Sequence, residues 1–223
     1  MYRYQLIGTA YAPMECMNIS AIILAGGKAS RLGRSKVLET IAGKSLLQRV
    51  IDRLAILDTE IIIATAQGDC FASLTTTYLP STKIKTAADI YPGKGPLGGI
   101  YTGLLASSCQ QAIVVGCDMP FLNVTLLDHM VQNFSAFDAV VPRIGKKIEP
   151  LCAVYSKGCL PAIRNLLESN ELQISKLFNM VKVKYIEEDK IDRFDPEHLS
   201  FFNINTQEEL EKAKRITSDK GWY

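Results

Sequence analysis

Ile19-Ser20-Ala21-Ile22-Ile23-Leu24, followed by Ala25-Gly26-Gly27, is the stretch on which the fold turns. A short, nearly continuous apolar run closed by glycines predicts a strand covered on both faces, as strands of parallel sheets are. Glu60-Ile61-Ile62-Ile63-Ala64-Thr65 repeats the pattern. Between the two, residues 45–57 place Leu46, Leu47, Val50, Ile51, Leu54 and Leu57 at helical spacing, which completes a β-loop-α-β unit. A third buried run, Ala112-Ile113-Val114-Val115-Gly116, follows a glycine-rich loop at residues 93–99 and a helical segment, and ends at Cys117-Asp118-Met119-Pro120. Strands alternating with helices predict an α/β fold: a three-layer α/β/α, Rossmann-like arrangement around a mostly parallel sheet with right-handed crossovers. Ligands of such sheets sit beyond the carboxyl ends of the strands. Gly26-Gly27 and Asp118 both fall at such ends, so one crevice is expected to hold them.

Beyond Asp138 the pattern changes. Residues 139–142, 149–155 and 182–186 read as strands, residues 160–168 and 174–181 as helical, and residues 201–204 as a last strand. This half is expected to extend the sheet and build the acceptor side. Thr206 with Glu209 three residues later is the signature of a capped terminal helix. The first 16 residues carry little periodicity, and Met17 stands two residues before the first strand. Residues 1–16 are therefore read as an extension outside the core, with an overlong start assignment left open, and residues 17–223 as one domain.

At 223 residues, 48% hydrophobic and 22% charged, the chain is close to globular averages and suggests neither disorder nor a disulfide scaffold. With 25 basic against 23 acidic side chains the net charge is +2, too even for a protein held by the phosphates of a nucleic acid. Cys16, Cys70, Cys109, Cys117, Cys152 and Cys159 are scattered without a metal-site spacing and read as small core residues of a reducing compartment. No apolar run is long enough for a membrane span and no signal-peptide pattern precedes Met17, so a cytoplasmic location is expected.

The chemistry concentrates in Leu24-Ala25-Gly26-Gly27-Lys28-Ala29-Ser30-Arg31-Leu32-Gly33-Arg34-Ser35-Lys36. Glycines after a buried strand let the backbone approach a ligand and turn its N–H groups toward phosphate oxygens, and Arg31 and Lys36 add charge suited to a polyphosphate. The spacing is not that of a Walker A loop. A solvated basic loop with turn glycines fits the same residues.

This stretch resembles the L-A-G-G-x-x-x-R-x-G-x-x-K signature of the molybdenum cofactor guanylyltransferase family, within the wider nucleotidyltransferases that activate sugars and isoprenoid precursors. Four later landmarks resemble the family's pattern in the same order: Asp89 with Gly95-Pro96-Leu97-Gly98-Gly99, Cys117-Asp118-Met119-Pro120, Glu149-Pro150-Leu151, and Asn203-Ile204-Asn205-Thr206-Gln207-Glu208-Glu209-Leu210. The resemblance implies transfer of GMP from GTP to molybdopterin with release of pyrophosphate and Mg²⁺ as cofactor. It implies backbone contacts to the guanine nucleotide from Leu24, Ala25 and Gly26, a phosphate contact from Lys36, nucleotide binding by Asp89, and Mg²⁺ on Asp118 with Asn205 as second ligand. Gly27 belongs to the same nucleotide loop, and Arg31 with Lys36 would neutralise charge on the leaving pyrophosphate. Proteins that make or receive the molybdenum cofactor are the implied transient partners. Where some members carry an asparagine after the second strand, this chain has Ile63-Ala64-Thr65-Ala66, a departure at the base-binding end.

Asp118, just beyond a buried strand and held by Pro120, suits a hard oxygen-seeking cation, and equally a turn aspartate accepting backbone hydrogen bonds. Asp89 opens the stretch Asp89-Ile90-Tyr91-Pro92-Gly93 and fits a turn start as well. Gly93-Lys94-Gly95-Pro96-Leu97-Gly98 formally satisfies G-x-G-x-x-G with Asp118 downstream, so a dinucleotide-binding unit is a rival reading. Pro96 within the turn and the poor fit of residues 83–89 to a buried strand speak against it. His129 and His198 show no triad-like spacing to a nucleophile or carboxylate, which favours direct in-line transfer over a covalent intermediate. Asn203 and Asn205 also fit strand-end and helix-cap roles. Transfer from CTP, a sugar phosphate as acceptor, and a nucleotide-binding regulator without turnover remain the alternatives.

Overall fold

The computed structural model describes residues 4–7, 10–13, 19–26, 39–65 and 83–222. Two short hairpins, β1 (Tyr4–Ile7) with β2 (Ala10–Pro13) and β4 (Thr40–Ile41) with β5 (Lys44–Ser45), stand apart from an eight-stranded mixed sheet flanked by helices on both faces. The strands of that sheet are β3 (Ser20–Leu24), β6 (Glu60–Thr65), β7 (Ile84–Ala88), β8 (Gln111–Gly116), β9 (Ala139–Ile144), β10 (Lys147–Ile148), β11 (Cys152–Ser156) and β12 (Val183–Glu187). They run in the order β10-β9-β11-β8-β3-β6-β7, with β12 paired to β9. The four strands β8, β3, β6 and β7 are mutually parallel, β12 is parallel to β9, and β11 is antiparallel to both of its neighbours.

Alternation along the buried strands builds the three layers. Ala21, Ile23, Ile61, Ile63, Ile113 and Val115 face one core, filled by Leu47, Val50, Ile51 and Leu54 of α1 (Leu46–Ala55) and by Leu126, Leu127 and Met130 of α3 (Val124–Gln132). Ile22, Leu24, Ile62, Ala64, Ala112 and Val114 face the other, filled by Leu97, Ile100 and Leu104 of α2 (Gly95–Ala106) and by Ile163, Leu166 and Leu167 of α4 (Leu160–Glu168). A strand covered on both faces has no polar side, which is why these runs read as continuously apolar. The single-turn α5 (Glu188–Ile191) follows β12 and adds Ile191 to the first core. A third cluster seats α6 (Gln207–Asp219) through Leu210 and Ala213 on Ile41, Leu46, Phe121 and Ile204.

Residues 83–89 contain a strand, β7, at the sheet edge, and its half-buried or exposed side chains agree with their poor fit to a buried strand. Other expectations shift. Residues 201–204 are not a strand: a 3₁₀ turn at Leu199–Phe201 leads into an extended segment whose Ile204 N–H donates to the Asp118 carbonyl (3.0 Å) instead of a ladder. Residues 174–181 hold a 3₁₀ helix at Ile174–Asn179. The capping box of Thr206 and Glu209 is formed as read. Cys117, Cys152 and Cys159 are buried and Cys109 is half-buried, whereas Cys16 and Cys70 lie outside the described residues.

Candidate active site

Three chain segments meet at the carboxyl end of the parallel strands. β3 and β8 are paired in register through Leu24 opposite Gly116. Beyond that pair, the Cys117 N–H donates to the Leu24 carbonyl (3.2 Å), and on the other side the Ala25 N–H donates to the Ala64 carbonyl (2.8 Å). Leu24 is therefore buried, Ala25 half-buried and Gly26 exposed as the chain leaves the sheet between β6 and β8. Gly27, Arg31 and Lys36 follow on this exit and lie outside the described residues.

Asp118 stands half-buried two residues past β8. A Cβ added to Gly116 would lie 2.5 Å from Asp118 Oδ1, so the absent side chain of Gly116 is what leaves room for the carboxylate at the strand end. The Asp118 carbonyl accepts from the Ile204 N–H, which brings Asn203 and Asn205 to the same end of the sheet. The Asn205 N–H is held by Glu209 Oε2 (2.7 Å) within the α6 cap, so the backbone of this segment is fixed from both sides. The sequence landmarks imply one site for Asp118 and Asn205; the Ile204 hydrogen bond is what joins them.

Asp89 directly follows β7, with its N–H donating to the Thr65 carbonyl (2.9 Å). Its Oδ1 accepts from the Tyr91 N–H (3.0 Å) and the Thr102 hydroxyl (3.2 Å), locking the turn into α2. A Cβ on Gly98 would lie 3.1 and 3.2 Å from the two Asp89 carboxylate oxygens, and one on Gly99 2.9 Å from Leu24 Cδ2. These glycines let α2 close onto Asp89 and β3. Position 64 carries no amide, and Ala64 is instead buried in the core under α2.

The dinucleotide reading fails on topology. The glycine loop follows β7, and Asp118 follows β8, but β6 and β3 lie between those strands. At the usual strand spacing this separates the two ends by roughly 14 Å, whereas the acidic residue of a dinucleotide unit sits on the neighbouring strand.

Among the described residues, neither histidine is bonded to a nucleophile. Burial lowers the pKa of His129, with the Lys184 ammonium acting in the same direction, and its ring packs on Phe194 at 4.8 Å. His198 does have a carboxylate, which its spacing conceals: Asp192 Oδ1 is 2.7 Å from Nε2, because the residues between them turn back on themselves. Sequence reasoning also leaves unassigned a cavity of about 380 Å³ lined in part by Lys147, Glu149, His198, Phe201, Phe202 and Lys212. The signal pointing to it is the Glu149-Pro150-Leu151 landmark.

No helix among the described residues is long and apolar enough to cross a membrane. Residues 21–183 match the family model of the MobA-like NTP transferase domain. The chain is 36% identical over 208 residues to a protein of Peptoclostridium acidaminophilum named "Probable molybdenum cofactor guanylyltransferase", covering 90% of each. It is 34% identical to the molybdenum cofactor guanylyltransferase of Desulfosudis oleivorans, covering 88% of this chain and 94% of that one. Among solved structures, the molybdopterin-guanine dinucleotide biosynthesis protein A of Archaeoglobus fulgidus superposes with a TM-score of 0.77 at 25% identity, over 90% of this chain and 100% of that one. With the Leu24-Ala25-Gly26 exit, the aspartate and the asparagine segment gathered at one sheet end and these relatives spanning nearly the whole chain, the protein belongs to the MobA-like NTP transferase family and is an enzyme of the nucleotidyltransferase class.

Proposed function

We propose that the protein transfers GMP from GTP to molybdopterin, releasing pyrophosphate and forming the guanine dinucleotide form of the molybdenum cofactor. The observation that carries this reading is the convergence of the Leu24-Ala25-Gly26 exit, Asp118 and the Ile204-Asn205 segment at one end of the sheet. The guanine and molybdopterin assignments draw support from the names of the relatives.

In this reading an oxygen of the acceptor phosphate attacks the α-phosphorus of GTP. A new oxygen–phosphorus bond forms, the bond from the α-phosphorus to the β-phosphate oxygen breaks, and pyrophosphate leaves. The strand-end backbone positions the nucleotide, and Arg31 and Lys36 neutralise the charge that develops on the leaving group. Asp89 fixes the turn beside the nucleotide side of the crevice. In phosphate-handling sites Mg²⁺ is held by one or two carboxylates, with phosphate oxygens and water completing its shell. Asp118 with the Asn205 amide is a donor set of that kind, and among the described residues no group of three or more His, Cys, Asp and Glu gathers as a self-sufficient cage. Bound there, the ion would supply Lewis-acid polarisation of the α-phosphate.

The test is to incubate purified protein with Mg²⁺, molybdopterin and GTP, CTP or ATP in separate reactions, and to identify products by mass. The expected product is the GMP adduct. A CMP adduct formed in preference would replace the guanine assignment and keep the class, and no adduct with any nucleotide would overturn the reading.

A further inference from the structure

The cavity of about 380 Å³ is within the range of small-molecule sites. One wall is the β9–β10 hairpin with Ile144, Lys147 and Glu149, and the other is residues 197–202. Both walls are tied to the strand end that carries Asp118. Leu151, two residues after Glu149, accepts from the Gly116 N–H (3.1 Å), and Ile204, two residues after Phe202, donates to the Asp118 carbonyl. The cavity therefore lies on the β11, β9 and β10 side of that strand end, opposite the Leu24-Ala25 exit, which lies between β8 and β6.

Glu149 is 7% exposed, and a carboxylate so placed needs donors. Its partner is Lys147, whose ammonium lies 2.7 Å from Oε1 but whose side chain is 72% exposed. An ion pair on the solvent side is worth little and is readily exchanged for better-placed donors. Phe201 and the half-buried Phe202 supply apolar and aromatic surface in the same cavity. A flat heterocycle with two parallel N–H donors on one edge satisfies both features: the edge meets the carboxylate as a fork and the ring lies on the aromatic side chains. The 2-amino-4-oxo edge of a pterin has that form.

Resting on the guanylyl-transfer reading above, we propose that Glu149 holds the 2-amino-4-oxo edge of the acceptor's pterin ring in this cavity, setting the phosphate end of the acceptor toward Asp118. Guanine carries the same edge, but the Leu24-Ala25-Gly26 exit lies on the other side of β8, which assigns the cavity to the acceptor.

The test compares binding, without turnover, of two fluorescent pteridines by the intact protein: 6-hydroxymethylpterin and its 2,4-dioxo counterpart, in which the amino donor is replaced by a carbonyl. The wild type is expected to hold the pterin about tenfold tighter or more, since a buried acceptor left facing another acceptor is penalised. Glu149→Gln is expected to abolish that preference and to raise KM for molybdopterin about tenfold while KM for GTP stays within about twofold. Equal binding of both pteridines by the wild type overturns the proposal with no variant required. So does a Glu149→Gln protein, folded by its melting curve, in which KM for GTP rises instead. GMP transfer without any pterin preference sinks the cavity assignment alone, and a pterin preference without transfer of any nucleotide sinks the transferase reading alone.

Discussion

At the scale of single residues, Asp118 and Glu60 stand at opposite ends of the sheet and separate function from stability. Asp118→Asn keeps the shape of the side chain and removes its charge. The expected result is a fall in kcat on the order of a hundredfold or more with the melting temperature nearly unchanged; near-wild-type turnover at saturating Mg²⁺ would remove the metal role. Glu60 opens β6, where Ser20, the Ser108 amide and hydroxyl, and Lys85 converge on its carboxylate. Burial pushes its pKa up, but the Lys85 ammonium and these donors together outweigh that and hold it at about 2, against an ordinary 4.5. A pKa depressed by folding means that the stabilisation is present above pH 4.5 and is lost as pH falls toward about 2. Urea titrations of wild type and Glu60→Gln should therefore differ by roughly 2–3 kcal/mol near neutrality and converge in acid. A gap that persists below both values would show that packing, not ionisation, sets the contribution.

At the scale of elements, α2 shows how glycine spacing places a helix. Gly99 and Gly103 face β3, and a Cβ at Gly103 would lie 2.5 Å from Ile22 Cγ2. The helix sits against the strand because nothing projects between them. Gly103→Ala raises helix propensity by up to about 1 kcal/mol, yet the collision with a buried isoleucine is expected to cost about 1–3 kcal/mol, for a net loss of stability in urea unfolding. A net gain would mean that α2 can shift outward without penalty. Arg49 makes the corresponding link for α1: its guanidinium donates to the Ile41 carbonyl from Nε (3.0 Å) and Nη2 (2.7 Å), and from Nη1 to the Trp222 carbonyl (3.2 Å). One buried side chain thus ties α1, the β4–β5 hairpin and the end of the chain together.

At the scale of the whole molecule, the β1–β2 hairpin pairs with itself and with no strand of the eight-stranded sheet. An isolated two-stranded hairpin has little stability of its own. Deleting residues 1–16 is accordingly expected to leave the melting temperature within about 2 °C and GMP transfer unchanged; a large drop in either would show that the segment packs as part of the core. The buried strands and the helices α1 and α6 were legible in the sequence, because a strand covered on both faces must be apolar throughout and a capped amphipathic helix carries its period and its cap in adjacent residues. Asp118 and the stretch after Leu24 could be singled out as candidates for the same reason: each motif lies in contiguous residues. The edge strand β7 escapes such a reading because a half-exposed strand lacks the continuous apolar signal, and residues 201–204 mislead it because their backbone bonds to Asp118 and not to a ladder. The neighbours of β8, the bond of the Ile204 backbone to Asp118 and the cavity lined by Glu149 join residues far apart in the chain. Those were decided by strand order and by two backbone hydrogen bonds, which local periodicity does not encode.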